Sequence, residues 1–169
     1  DRSRCRVCGT CVEVCFSGAR EWVGRSITVE EVMDQIERDL PFYDQSGGGV
    51  TFSGGEPLMQ PKFLQSLLRA CRSASIHTAL DTCGYAPWRS LERIVPEVDL
   101  FLYDVKLLDE ARHRAFTGVS NRLILSNLRR LSALGVPLII RHPLIPGIND
   151  DMGSLRMLGE FLTRLHGLQ

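Results

Sequence analysis

From Thr28 onward the chain switches repeatedly between two hydrophobic periods. Val29, Val32, Met33, Ile36 and Leu40 recur at helical spacing behind Thr28 and Glu31, a capping box, and predict a helix over about 28–40. Beyond it, short β-branched or apolar runs alternate with amphipathic stretches. Strands are expected over 49–53, 76–81, 100–105 and 137–141, with helices over 62–72, 88–94, near 109–116, 121–134 and 151–166. Strands separated by helices are the pattern of parallel βαβ units joined by right-handed crossovers. The runs 100–103 and 138–140 are nearly all apolar, so both faces of these strands are expected to be covered. Periodicity leaves two α/β architectures open, a doubly wound sheet and a segment of a barrel.

Residues 1–25 have no such period. They are rich in Cys, Arg and Gly and read as a loop module organised by whatever the cysteines bind, which divides the chain into segments 1–25 and 26–169. Hydrophobic residues make up 44% and charged residues 24% of the 169, with no apolar run long enough to span a membrane. Lys plus Arg and Asp plus Glu are equal at 20 each, so no net positive field exists to hold nucleic acid or an anionic membrane surface. The chain opens on Asp1 without the basic and apolar regions of a signal peptide, and is expected to be cut from something longer. Four of the six cysteines lie within eleven residues, too close to staple a fold, which points to metal binding in a reducing, cytoplasmic compartment.

Those four cysteines form the run Cys5-Arg-Val-Cys8-Gly-Thr-Cys11-Val-Glu-Val-Cys15, with spacing C-x2-C-x2-C-x3-C. A tight loop of this kind wraps a 4Fe–4S cubane so that successive thiolates reach different irons; a zinc site normally uses two well-separated ligand pairs. Phe16 stands where proline usually follows the fourth cysteine. In two-cluster ferredoxins the fourth cysteine of such a run serves the other cluster, so Cys15 either closes this cluster or belongs to a second one. Cys71 and Cys83, next to apolar stretches, read as small buried hydrophobes.

Chemistry-bearing residues gather where the strands end. Ser53, Gly54, Gly55 and Glu56 follow the first strand; the glycines let backbone approach a ligand, and Glu56 offers a carboxylate to an ammonium group. Asp81 ends the second strand, Asp104 and Lys106 the third, and Arg141 the fourth. Active sites of parallel α/β folds lie at that carboxyl edge. A carboxylate for an ammonium and cations for a carboxylate suit a zwitterionic amino-acid group. No Ser/His/Asp or Cys/His triad is apparent, His77, His113, His142 and His166 share no spacing, and no side chain is assigned a catalytic role.

The motifs Gly-Gly-Val-Thr-Phe-Ser-Gly-Gly-Glu-Pro at 48–57, Asp-Thr-Cys-Gly at 81–84, Asp-Val-Lys at 104–106 and Arg-His-Pro-Leu-Ile-Pro-Gly-Ile-Asn-Asp at 141–150 closely resemble those of glycyl-radical-enzyme activating enzymes. These are radical S-adenosylmethionine (SAM) proteins related to pyruvate formate-lyase activating enzyme. The resemblance covers nearly the whole chain. It implies an incomplete (β/α)6 barrel carrying a ferredoxin-like iron–sulfur segment. It also implies that Ser53, Gly54, Gly55 and Glu56 hold the amino group of the SAM methionine, that Asp104, Val105 and Lys106 meet its carboxylate and amino end, and that Arg141 packs near the cofactor. In a relative for which a monovalent cation is described, Asp81, Thr82 and Asp104 fall at the ligand positions. In such enzymes a reduced cluster cleaves SAM and the 5′-deoxyadenosyl radical takes a hydrogen atom from a glycine of a partner enzyme, with flavodoxin or ferredoxin as the implied electron donor.

The family binds its catalytic cluster through C-x3-C-x2-C after the first barrel strand, and this motif is not in the chain. The run Cys5, Cys8, Cys11 and Cys15 corresponds instead to the accessory insert, and Gln169 precedes the expected last strand. The chain alone is therefore expected to lack catalysis that its parent has. Two other readings remain on the residues, a non-enzymatic electron-transfer module and a degenerate scaffold that docks a glycyl-radical enzyme.

Overall fold

In a computed structural model that describes residues 5–169, four strands form one all-parallel sheet in the order β1-β2-β3-β4. They are β1 (Gly49–Phe52), β2 (His77–Thr82), β3 (Leu100–Asp104) and β4 (Leu138–Arg141). Eight α-helices accompany them: α1 (Thr10–Glu13), α2 (Val29–Glu37), α3 (Leu40–Ser46), α4 (Pro61–Ser73), α5 (Trp88–Ile94), α6 (Glu110–Thr117), α7 (Arg122–Ala133) and α8 (Met152–Leu162). Each expected strand and helix is present within a few residues. The sequence pattern did not reveal α3, a seven-residue helix with Pro41 in its first turn and Gly47 at its end. The short α1 lies inside the stretch expected to be loop.

Thr28 caps α2 as anticipated, its hydroxyl accepting from Glu31 N while Glu31 accepts from Thr28 N at 2.7 Å. Met33 and Ile36 of α2 pack with Cys71 and Ile76, and with Val50 and Phe52 of β1. The larger core joins Leu64 and Leu68 of α4, Leu91 and Ile94 of α5, and Leu128 and Leu131 of α7 to Leu80, Phe101, Tyr103 and Leu138 of the sheet. These sheet residues alternate with others that stay outside the core. Leu100, Leu102 and Ile139 are only half-buried and Thr51 is exposed.

The helices therefore cover one face, and the expectation that both faces of β3 and β4 are covered is corrected. Because side chains alternate across a strand, Thr51, Ala79, Leu102 and Ile139 line the opposite, open face, as on the inside of a barrel segment. At the far edge Leu168 bridges Leu138 in parallel, with Leu138 N donating to Gly167 O at 2.8 Å. Among the described residues no helix is long and apolar enough to cross a membrane.

A charged site at the carboxyl edge of the sheet

Strand register sets the site. Thr51 pairs with Ala79, Asp81 with Leu102, and Asp104 with Arg141. Ser53, Asp81, Asp104 and Arg141 are thus the next positions after Thr51, Ala79, Leu102 and Ile139 on the open face. They form one connected chain. Ser53 Oγ donates to Asp81 Oδ2 at 3.0 Å, and the Arg141 guanidinium spans Asp81 Oδ1 and Asp104 Oδ1, reaching Asp104 from Nε at 3.0 Å. Lys106 Nζ meets Asp104 Oδ2 at 3.2 Å. Two carboxylates and two cations balance in charge. Burial works against the charge of Arg141, but its bonds to Asp104 and Asp81 outweigh this and raise its pKa.

The cations remain accessible while the anions are shielded. Arg141 and Lys106 side chains are 42% and 41% exposed, against 18% for Asp81 and 22% for Asp104. An incoming carboxylate meets guanidinium and ammonium donors, both of which can make charge-assisted bonds. Beside them, Ser53, Gly54 and Gly55 are exposed, and Gly54 has φ +128°, a conformation that L side chains rarely adopt. Their carbonyls suit an ammonium group.

The side chains of Glu56, Val105 and Thr82 turn away from this open face. Glu56 points toward the end of β2, not to the open face: Oε1 accepts from Thr82 Oγ1 at 2.6 Å and Leu58 N at 3.2 Å, and Oε2 from Cys83 N and Cys83 Sγ, each at 3.0 Å. Val105 has its side chain in the core, its N–H donates to Arg141 O, and its carbonyl accepts from His142 Nδ1 at 2.6 Å. Thr82 is buried on the helix-covered face, one residue out of phase with Asp81. Its hydroxyl therefore cannot join the two aspartates around one cation from the same face, and Arg141 supplies the positive charge between them.

The N-terminal thiols are free: Cys5, Cys8 and Cys11 are exposed and Cys15 half-exposed. Side-chain hydrogen bonds from Thr10 and Ser17 lower the pKa of Cys8 and Cys15 respectively. Four closely spaced thiols fit an iron–sulfur cluster by donor chemistry. The sulfurs do not converge, however, since among the described residues no group of three His, Cys, Asp or Glu side chains surrounds a metal-sized site. Loop 5–15 has to reorganise around whatever it binds.

Other residues that shape the edge were not assigned from sequence. Cys83, read as a small hydrophobe, donates its thiol to Glu56, and burial together with that bond pushes its pKa up to about 11. Cys71 is the buried hydrophobe expected, fully buried with Sγ 3.7 Å from Met33 Sδ. Three buried asparagines pin the loops, Asn121 by donating to Leu107 O and Leu108 O at 2.9 and 2.8 Å. Asn127 donates to Gly84 O and Ala86 O, both at 2.8 Å, and Asn149 to Lys106 O and Pro143 O at 3.0 and 2.8 Å. A lone amide among the apolar residues of α7 was the available signal for Asn127. His113 is buried with Nδ1 on Val119 O, a structural tie.

A one-sided parallel α/β sheet with a zwitterion-shaped, charge-balanced site at its carboxyl edge defines the class. The chain belongs to the radical SAM superfamily, whose family model matches residues 2–157. It is 45% identical over 171 residues to the isethionate sulfite-lyase activating enzyme of Nitratidesulfovibrio vulgaris, covering 99% of this chain and 55% of that protein. It is 48% identical over 153 residues to the trans-4-hydroxy-L-proline dehydratase activating enzyme of Clostridioides difficile, covering 89% and 51%. A solved domain of pyruvate-formate lyase-activating enzyme from Bacteroides vulgatus superposes with a TM-score of 0.66 at 42% identity, covering 70% of this chain and 73% of that one. The chain spans about half the length of the curated relatives it matches.

Proposed function

We propose that the protein carrying this chain is a SAM-dependent activating enzyme that installs a glycyl radical on a partner enzyme, and that the charged edge holds the amino-acid end of SAM. The observation that carries the reading is the unbroken chain Ser53–Asp81–Arg141–Asp104–Lys106 beside the exposed Gly54–Gly55 loop. Arg141 and Lys106 receive the methionine carboxylate, while the carbonyls of the glycine loop receive the ammonium. Asp81 and Asp104 orient the two cations and keep the pocket neutral before the zwitterion arrives. When bound, a reduced 4Fe–4S cluster supplies one electron to cleave SAM to methionine and a 5′-deoxyadenosyl radical, which leaves as 5′-deoxyadenosine after taking hydrogen from glycine. Curated relatives at comparable identity are named for a sulfite-lyase and for a dehydratase, so the partner is specified here only as a glycyl-radical enzyme.

Cys5, Cys8, Cys11 and Cys15 hold an accessory 4Fe–4S cluster in the ferredoxin-like segment, in line with an electron path from flavodoxin or ferredoxin. The donor chemistry of four neighbouring thiols supports this assignment. The test is anaerobic incubation of the reconstituted whole protein with SAM, a reductant and a glycyl-radical enzyme. A glycyl-radical signal in the partner with matching 5′-deoxyadenosine is the expected result. Failure of the wild-type protein to bind SAM overturns the reading.

A further inference from the structure

We infer that Glu56 is a positioning residue, which acts by clamping the glycine loop to the end of β2 through Thr82 and Cys83 and leaves the ammonium of SAM to backbone carbonyls. This rests on the reading of the edge as the SAM site. An ionised carboxylate offers about four acceptor positions. All four face donors here: Thr82 Oγ1, Leu58 N, Cys83 N and Cys83 Sγ lie 2.6 to 3.2 Å from the two oxygens. An ammonium group has to displace one of them to reach the side chain. The direction of the shortest contact is fixed, because an ionised carboxylate can only accept: Thr82 Oγ1 donates its proton to Glu56 and itself accepts from Gly84 N at 2.9 Å.

The loop is consequently held at two points on opposite faces of β2. Ser53 is tied to Asp81 on the open face, and Glu56 is tied to the buried Thr82 on the other and to the half-buried Cys83 just past the end of β2. Gly54 and Gly55 span the gap. A Cβ added at either glycine would meet nothing within 4 Å, so the described ties that hold this span are the anchors at its two ends. The four contacts of Glu56 are with Leu58, Thr82 and Cys83, and none is with a member of the chain Ser53–Asp81–Arg141–Asp104–Lys106.

The test measures binding of SAM and of 5′-methylthioadenosine, which lacks the amino-acid end, to the anaerobically reconstituted whole protein. Cys83→Ala and Thr82→Val are expected to weaken SAM at least fivefold while 5′-methylthioadenosine stays within twofold of wild type. Cys83→Ser and Thr82→Ser, which keep a donor, restore SAM binding to within twofold. The clamp is overturned if Cys83→Ala and Thr82→Val bind SAM as wild type does while Glu56→Gln does not, the signature of direct carboxylate contact. It is also overturned if the variants lose both ligands equally, which reports general damage to the fold. Wild-type protein that binds 5′-methylthioadenosine and SAM with equal affinity, or neither, removes the underlying SAM reading itself.

Discussion

Replacing Gly84 by alanine tests how tightly the end of β2 is packed against β3. Gly84 turns the chain with φ +66°, and an added Cβ would stand 1.8 Å from Tyr103 Oη and 2.3 Å from Cζ. Tyr103 has little room to retreat: it is fully buried, and its hydroxyl donates to Ile124 O at 2.7 Å. A left-handed backbone costs a non-glycine residue about 1–2 kcal/mol. Forcing a methyl into a filled core adds about 1–3 kcal/mol. Gly84→Ala should therefore lose about 2–5 kcal/mol, a large part of the roughly 5–15 kcal/mol that stabilises a typical domain. Urea unfolding followed by circular dichroism measures it, with an unchanged slope showing that stability alone has moved. In a Tyr103→Phe background the ring loses its tether to Ile124 and can slide away. The same glycine substitution should then cost about 1 kcal/mol less, within the range of coupling between touching residues. A cost below about 1 kcal/mol, or an identical cost in both backgrounds, refutes the packing argument.

The other predictions concern thiols, acid and a buried amide. At pH 8 in metal-free protein, iodoacetamide should label the four N-terminal cysteines quickly, and Cys71 and Cys83 roughly two hundredfold more slowly, because thiols at about 11 hold only ~0.1% thiolate against about a quarter for an ordinary thiol; mass spectrometry showing six equally fast adducts contradicts this. Asp151 caps α8, and its bonds from Ser154 and Arg112 bring its pKa down to about 2. Its folded value lies below the unfolded one, so its stabilising charge is fully present above about pH 4 and lost as pH falls through about 2. The melting-temperature gap between wild type and Asp151→Ala should be constant from pH 7 to 4 and narrow toward pH 2, whereas a gap independent of pH would rule the linkage out. Asn127→Ala leaves the carbonyls of Gly84 and Ala86 without their buried donor and should cost about 2–4 kcal/mol in the same urea assay; a loss under about 1 kcal/mol would mean water replaces the amide.

The order of elements was legible because each has a strong local cause. A capping box starts α2, apolar residues recur at helical spacing through α4 and α7, and β-branched or apolar runs end at charged residues. The short α3 was hidden by its composition, since Leu-Pro-Phe-Tyr-Asp-Gln-Ser followed by three glycines carries a proline at its start and a glycine run at its end, both turn signals. The covering of β3 and β4 was misread for a different reason. A strand of continuous apolar residues is compatible with helices on two faces or with helices on one face and a lined hollow on the other. Only the packing partners separate the two, and Phe101 and Tyr103 lie in the core while Leu100 and Leu102 remain half-buried.

Within the site, what the sequence could not carry was the side to which each residue turns. Ser53, Asp81, Asp104, Lys106 and Arg141 share a phase along their strands and share the open face, so their grouping follows from register alone. Thr82 and Val105 stand one residue away from Asp81 and Asp104, which suffices to put the first under Glu56 and the second in the core. Adjacent residues of one motif thus serve opposite layers: one set lines the open face, the other anchors the loops beside it. Inserting one residue between Leu80 and Asp81 would exchange those layers, burying a carboxylate on the helix-covered face and removing the anchor from Glu56. The Asp-Thr-Cys-Gly motif is therefore constrained as a unit by strand phase, and its third member joins the edge through the bond from its thiol to Glu56.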